Sequence, residues 1–372
     1  MPDPVITIAL LGGDGIGPEV VEATAEILAA LLPQARFERP PHGQEAFDRF
    51  GDALPEETRD ACRRADAVLF GATAGPSHPV LRFLRWGLET YANLRPARTL
   101  PSLPSPLRRP EPVDLLVVRE NLEGEYPGRE GEVADFRARW PEFRDNLGRE
   151  LPESGLFTLR LTTETGTRRV ARVAAAQALA RRRRGLSGIV TVVTKANVLR
   201  RTDGAFRAMA EEELERAGVE HRHLYVDDAC RRLVAEPHRF DVLLAPNLFG
   251  DVLSDVAAEL AGGMGMAPSA CLGDRHAYFE SVHGAAPDIA GLGVANPLAT
   301  VLSAVLMLDH LGCGEEARSL EAAVHGLLAA REARTPDLGG SASTADVVEA
   351  LVARLARPAA AHPSSDRREV TQ

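Results

Sequence analysis

Apolar residues in this chain fall in short unbroken runs that alternate with stretches of helical spacing. Val5 to Leu11 is the first run, and it ends in Gly12-Gly13-Asp14-Gly15-Ile16-Gly17-Pro18-Glu19. From about Pro18, Val20, Val21, Ala23, Ile27 and Leu28 recur at intervals that put them on one helical face. Ala67 to Ala72 is another apolar run ending in small residues, and Leu81 to Tyr91 reads as a helix that Asn93-Leu94-Arg95-Pro96 ends. Asp114 to Val118, Gly188 to Val193 and Phe240 to Ala245 are further strands. Strands that alternate with helices predict an α/β fold with a mostly parallel sheet covered on both faces.

The segment from Pro127 to Ser154 breaks this rhythm. It is polar, holds Trp140, and separates Tyr126 from the β-like Leu156 to Leu161. A long excursion of this kind reads as a functional or interaction arm, at about residues 127–160. After Arg357 the chain becomes rich in Pro, Ala and Ser, so residues 358–372 are expected to be a disordered tail.

Length and charge narrow the function. A chain of 372 residues buries a large core and is expected to form two lobes. A formal net charge of −10 argues against nucleic acid or an anionic membrane as partner. The run Arg181 to Arg184 closes the helical stretch Val170 to Leu179 ahead of Gly185, and reads as a solvated helix end rather than a targeting signal. Cys62, Cys230, Cys271 and Cys313 are scattered without a CxxC pair, as expected for reduced thiols of a cytoplasmic protein. The first residues show no basic stretch followed by an apolar one and no apolar stretch reaches membrane-spanning length, so neither a leader nor a membrane span is expected.

Lys195 is the only lysine; the other 42 of the 43 basic Lys and Arg residues are arginines. Where a plain positive charge suffices, base-composition bias can replace Lys by Arg, so the survivor marks a place where guanidinium does not serve. An amine can have its pKa lowered and pass a proton, whereas arginine stays protonated. Lys195 follows the strand Gly188 to Val193, at the carboxyl end where open α/β sheets place their chemistry. It is the candidate catalytic amine.

Three further sets surround it in the sequence. Asp251 and Asp255, at i and i+4, share a helix face just after the turn Asn247-Leu-Phe-Gly250, and Asp227 follows Leu224-Tyr225-Val226. Taken alone the pair serves a helix dipole as well as it serves a metal. With the lysine and the arginines, a hard cation held by carboxylate oxygens, Mg²⁺ or Mn²⁺, is the better reading. Arg82, Arg85, Arg95 and Arg119 form an anion-binding set for a small substrate with several negative charges, Arg82 and Arg85 lying one turn apart. Tyr126 can act as an acid toward a carbanion or enol. Gly13-Asp-Gly15-Ile-Gly17 follows a strand, but its spacing is not GxGxxG and Pro18 stands in the last glycine's place, so a Rossmann site is not expected.

Together these motifs resemble the metal-dependent β-decarboxylating dehydrogenases: isocitrate, homoisocitrate, 3-isopropylmalate and tartrate dehydrogenases. The resemblance runs over about residues 5–357, through Gly12 to Glu19, Asn93-Leu-Arg-Pro96, Arg119-Glu-Asn with Tyr126, Lys195-Ala-Asn197, Asn247 to Asp251 with Asp255, and His283-Gly-Ala-Ala-Pro-Asp288. It implies that family's two-domain α/β fold, not a Rossmann fold. Residues 1–97 with 252–357 would form the large cofactor domain, and 98–251 the small substrate and dimerisation domain.

The resemblance also implies roles. Arg85, Arg95 and Arg119 would hold the malate carboxylates, with Asn197 beside them. Asp227, Asp251 and Asp255 would ligate the metal, with Lys195 as general base and Tyr126 as the acid that reprotonates the enol. His283, Gly284, Ala285, Ala286, Pro287, Asp288, Ile289 and Asn296, with Thr73, would bind the cofactor. Asp288 can accept hydrogen bonds from the adenosine ribose and would repel a 2′-phosphate, so NAD is expected. Lys195 and Asp227 would come from the second subunit of a homodimer.

For the substituent on C3, isocitrate-type members resemble a serine and an asparagine where Pro79 and Leu81 stand, and isopropylmalate-type members small aliphatics at 81 and 82. Arg82-Phe-Leu-Arg85 resembles the homoisocitrate pattern, and His78 adds a second donor. An acidic substituent is expected: carboxyethyl, carboxymethyl or phosphonomethyl. Tartrate or 3-isopropylmalate is the alternative substrate. A silent regulatory subunit would lack one of Lys195, Tyr126 or the aspartates, and none is missing.

Overall fold

The structure is a computed structural model that describes residues 5–103, 105–107 and 112–356. The expected disordered tail lies outside these residues. Among the described residues there are twelve strands: β1 (Thr7–Gly13), β2 (Arg36–Glu38), β3 (Ala67–Ala72), β4 (Ala92–Arg98), β5 (Asp114–Glu120), β6 (Glu130–Glu132), β7 (Leu156–Thr158), β8 (Val190–Thr194), β9 (His221–Tyr225), β10 (Val242–Ala245), β11 (Pro268–Leu272) and β12 (Ala277–Ser281). Ten form one sheet in the order β2-β1-β3-β12-β11-β4-β5-β10-β8-β9.

The sheet is mixed. The group β2-β1-β3-β12 is parallel within itself, as is β5-β10-β8-β9. Three antiparallel ladders, β12 with β11, β11 with β4 and β4 with β5, join them. The two halves therefore run in opposite directions, and β4 and β5 carry the chain across the middle. This middle ladder is where the sequence division near residue 97 falls, and the sheet is continuous through it.

Alternation along β5 sets the two faces of the core. Leu116 and Val118 enter an apolar cluster with Val170, Ala174 and Ala178 of the helix Glu164–Arg183, while Leu115 and Val117 enter another with Leu253 and Ala257 of the helix Asn247–Ala261. The helix Leu298–His310 is buried over nearly its whole length, matching a sequence that is apolar on all sides.

Four local expectations need correction. The stretch 81–91 is not one helix: an α-turn His78–Arg82 runs into a π-turn Phe83–Gly87. Asn93 to Pro96 does not end a helix but lies within β4, because its backbone groups are paired on both sides by β11 and β5. Asn247 to Gly250 is not a turn but the first turn of a helix. Arg181 is not solvated: it is buried, bonded to Asp241 and 2.8 Å from Asp114 Oδ1, so it ties a helix end to the sheet.

The polar excursion holds a two-stranded ladder and a short helix. β6 and β7 pair antiparallel, and the helix Val133–Arg139 returns Phe136 to within 5.0 Å of Phe157, with Trp140 and Phe143 on its other sides. Leu156 and Leu147 remain exposed on it. Among the described residues no helix is long and apolar enough to cross a membrane.

Candidate active site

Asn93 pairs with Arg119 across the β4–β5 ladder, so Arg119 and Arg95, two residues on from Asn93, project from the same face of the sheet. The helix Asn247–Ala261 lies against that face, and its approach depends on Gly250. A Cβ there would sit 2.7 Å from Arg119 Cβ. Asn247, in the helix's first turn, accepts from Arg119 Nε at 3.0 Å and Nη2 at 2.8 Å, and donates to the Glu123 carbonyl at 3.1 Å.

One turn on, Asp251 becomes the centre of the cluster. Its Oδ1 accepts from Arg95 Nη1 at 3.0 Å and from Arg119 Nη1, and its Oδ2 accepts from the Tyr126 hydroxyl. Asp255 Oδ1 lies 3.2 Å from the same Arg95 nitrogen, and Ser254 accepts from it at 2.8 Å. The Arg119 guanidinium stacks 4.7 Å over the Tyr126 ring.

Charge is tightly balanced here. Burial, followed by repulsion from Arg95, pulls Arg119 down to about 10. Burial would raise Asp251, but Arg119, Arg95 and the Tyr126 hydrogen bond hold it below the ordinary carboxylate range. Burial raises Asp255 and also Tyr126, so the tyrosine keeps its proton at neutral pH.

Arg85, from the π-turn, reaches this region from the other half of the sheet. Its Nε donates to the Tyr278 hydroxyl at 3.3 Å and its Nη2 lies 3.9 Å from Glu280, both on β12. Single-turn π-helices occur often at functional sites, where they re-aim a side chain. Arg82 is exposed and, among the described residues, makes no hydrogen bond or ion pair. The π-turn starts directly after it, so Arg82 closes the α-turn and Arg85 lies within the π-turn. His78 is exposed, with Nδ1 2.9 Å from the Gly75 carbonyl.

Lys195 stands at the carboxyl end of β8. Its Nζ donates to Asp227 Oδ1 at 2.5 Å, and its backbone N–H donates to Asp203 at 2.6 Å. Asp227 opens the helix Val226–Ala235 and is exposed, as is Asn197. The lysine pulls Asp227 below its ordinary range. One chain thus brings Asp251, Asp255, Arg95, Arg119 and Tyr126 together and holds Lys195 with Asp227 as a separate pair. Among the described residues, no group of three or more His, Cys, Asp or Glu in one chain is placed to hold a metal. The oxygen-only donor pair Asp251 and Asp255 suits a hard cation.

The loop His283 to Ile289 packs on the turn after β1. Ile16 N–H donates to the Ala285 carbonyl at 2.8 Å, and Gly15, at φ +60°, has no room for a Cβ, which would fall 2.0 Å from that carbonyl oxygen. Gly284 leaves the next position open, Ala286 adopts φ +38°, and Pro287 and Asp288 are exposed beside half-buried Ile289. His283 Nε2 is buried with no hydrogen-bond partner among the described residues, which fits contact with a polar group of a cofactor. Asn296 is buried and bonded to Asp337 at 2.9 Å, while Thr73 is half-buried at the end of β3.

Sequence reasoning missed several supporting residues. Asp14 accepts from Ala74 N–H at 2.7 Å and from Ser77 Oγ at 2.9 Å, which fixes the turn that leads to His78. Tyr278 and Glu280 hold Arg85, and the signal was present: two polar residues at i and i+2 inside a buried strand. A cavity of about 520 Å³ lined by Leu100, Met266, Leu302 and Val305 lies toward the other end of the helix that bears Asp251, and includes none of the candidate residues.

Known proteins resemble this chain over most of its length. The chain is 41% identical over 349 residues to a 3-isopropylmalate/3-methylmalate dehydrogenase of Methanocaldococcus jannaschii, covering 94% of this chain and 98% of the relative. It is also 41% identical over 355 residues to an isocitrate/homoisocitrate dehydrogenase of Thermus thermophilus, covering 94% and 98%. The crystal structure of isocitrate dehydrogenase from Methylococcus capsulatus superposes with a TM-score of 0.83 at 35% identity, over 95% of this chain and all of that one. The family model for isocitrate/isopropylmalate dehydrogenase matches residues 7–351. The chain belongs to the isocitrate/isopropylmalate dehydrogenase family and is a β-decarboxylating dehydrogenase.

Proposed function

We propose that this enzyme carries out the NAD-dependent oxidative decarboxylation of a 3-substituted malate with an acidic substituent, using Mg²⁺ or Mn²⁺. It would act as a homodimer in which each site takes Lys195 and Asp227 from the other copy. The observation that carries this reading is the convergence of Arg95, Arg119 and Tyr126 on the single carboxylate of Asp251, with Arg85 close enough to act on the same charges. Three guanidinium groups gathered around one helix turn and one strand suit a substrate that carries several carboxylates.

Each residue then has a task. Arg85, Arg95 and Arg119 bind and orient the malate carboxylates. Lys195 Nζ, aimed by Asp227 at 2.5 Å, takes the proton of the 2-hydroxyl. Asp227, Asp251 and Asp255 would hold a divalent cation, which would supply Lewis acidity, and the His283 to Ile289 loop would hold NAD, which would supply the hydride acceptor. After CO₂ departs, the Tyr126 hydroxyl returns a proton to the carbon that lost it. Its raised pKa suits a group that must hold that proton until it is needed. The His283 to Ile289 loop would take the adenosine, with the exposed Asp288 toward the ribose hydroxyls. The two halves of the sheet, divided near 97 and 251, would act as the cofactor and substrate lobes.

Two relatives of equal identity are named for different substrates, so overall similarity leaves the substituent to local residues. Arg82, exposed and unpaired among the described residues, supports an acidic one. The test is NADH or NADPH formation from isocitrate, homoisocitrate, 3-isopropylmalate, tartrate and the phosphonomethyl analogue. Arg82→Leu should raise KM at least tenfold for the acidic substrates, in line with about 2–5 kcal/mol for truncating one partner of a charge pair. It should spare 3-isopropylmalate. Equal losses across the panel would make Arg82 structural, and preferred turnover of 3-isopropylmalate or tartrate by the unmodified enzyme would overturn the acidic-substituent reading.

A further inference from the structure

Arg160 leaves the base of the arm two residues after β7, where Gly124 and Leu161 pair antiparallel, N–H to carbonyl, at 3.0 and 3.3 Å. Its side chain is largely buried and ends among three segments that each carry a proposed active-site residue. Nη1 lies 3.2 Å from Glu125, the residue before Tyr126. Nη2 lies 2.9 Å from Asp203 Oδ1, and the other Asp203 oxygen holds the Lys195 backbone N–H at 2.6 Å. The guanidinium also stacks 4.8 Å from the ring of Phe249, two residues before Asp251.

Asp203 is fully buried, and the surroundings raise its pKa, chiefly through desolvation. It therefore needs a fixed cation, and the broad guanidinium stands within ion-pair distance of two carboxylates from different segments, which a compact ammonium would not span. We propose that Arg160 is a positioning residue: it locks the Tyr126 segment and the Lys195 segment of one chain into a single unit. The inference rests on the shared-site reading above. If Tyr126 serves its own site and Lys195 the neighbouring one, this clamp makes the acid of one site and the base of the other move together. Arg160 touches no reacting atom, and its effect passes through Glu125 and Asp203.

The test uses the full-length dimer. Arg160→Met keeps the contact with Phe249 and removes the fork. Misplacement of reacting groups by about 1 Å costs on the order of a hundredfold, so kcat should fall tenfold to a hundredfold while KM for NAD stays within twofold. Arg160→Lys, which keeps the charge but reaches one carboxylate, should recover only part of the loss. Amide hydrogen exchange should speed up in Arg160→Met at both 195–199 and 124–126. Faster exchange at only one segment would overturn the clamp.

Arg160→Met with Asp203→Asn removes both buried charges and separates positioning from neutralisation. If Arg160 only neutralises Asp203, stability and kcat both return in the double variant. If it positions, stability returns and kcat does not. Hybrid dimers of a Tyr126→Phe chain with a Lys195→Met chain then test the coupling. Regained activity on mixing establishes one intact shared site, and its absence would sink the shared-site reading before Arg160 is varied, and the cross-site coupling with it. In a hybrid that works, Arg160→Met should lower kcat whether placed in the chain giving Tyr126 or in the chain giving Lys195. An effect from one chain alone overturns the proposal.

Discussion

Asp251 and Asp255 sit one turn apart on the same helix, yet their neutral analogues should behave differently. Asp251 is 28% exposed and faces Arg95, at 9%, and Arg119, at 1%. Asp251→Asn leaves two buried guanidinium groups side by side with no full carboxylate between them. Breaking a buried pair costs about 3–5 kcal/mol, and residual solvent at Asp251 argues for the lower end. Asp255 is 52% exposed and meets only Arg95, at 3.2 Å. Its pairing is worth less than about 1 kcal/mol.

For a chain of this length, 1 kcal/mol shifts the melting temperature by a little over 1 °C on the average unfolding entropy per residue. Asp251→Asn should therefore lower Tm by roughly 4 °C and Asp255→Asn by about 1 °C or less, measured without substrate or metal. Both should abolish metal-dependent turnover. The loss in Asp251→Asn should also be pH-dependent. The folded pKa of Asp251 lies below its unfolded value, so its stabilisation is fully present above the unfolded pKa and disappears as pH falls through the folded one. The gap in Tm between wild type and Asp251→Asn should close toward acid pH. Equal Tm losses in the two variants, or a gap that persists at low pH, would refute the assignment of Asp251 as the counter-charge of this cluster.

Lys195→Arg should retain charge and fold, with an unchanged Tm, and lose turnover by at least a thousandfold, the upper part of the usual range for losing a general base; near-normal steady-state rates would remove Lys195 from the chemistry. Glu120 is buried at the end of β5, and desolvation pushes its pKa up to about 7 despite N–H donors from Leu122 and Glu123. A raised carboxylate costs stability as it ionises, so urea stability should fall as pH rises from about 4.5 to about 7, and Glu120→Gln should flatten that slope. An unchanged slope would place the titration elsewhere.

What could be read from the sequence, and what could not, follows from the range of the interactions involved. Buried strands such as Ala67–Ala72 were found to the residue, because an unbroken apolar run bounded by polar residues has one stable environment. The helix carrying Arg82 and Arg85 was misjudged, because the π-turn Phe83–Gly87 leaves no trace in periodicity. Asn93 to Pro96 looked like a helix stop because proline disfavours helix, yet the same preference admits a strand. Arg181 was read as solvated from the company of Arg182 to Arg184. Its partners, Asp114 and Asp241, lie 67 and 60 residues away, beyond any local pattern.

The site itself divides along the same line. Residues proposed to act through their own chemistry, such as a lone amine, a carboxylate pair or a tyrosine, announce themselves by type. Residues that act by holding another residue do not. Asp203 sits inside a helix that would be read as ordinary surface, and Arg160 is one of 42 arginines. Only the distances of 2.6 Å from Asp203 to the Lys195 amide and 2.9 Å from Arg160 to Asp203 separate them from the rest. In a chain where nearly every cation is arginine, the charge of a residue carries almost no information. Burial and the number of segments one guanidinium joins carry most of it, and by that measure Arg160, Arg95 and Arg119 stand apart from the arginines on the surface.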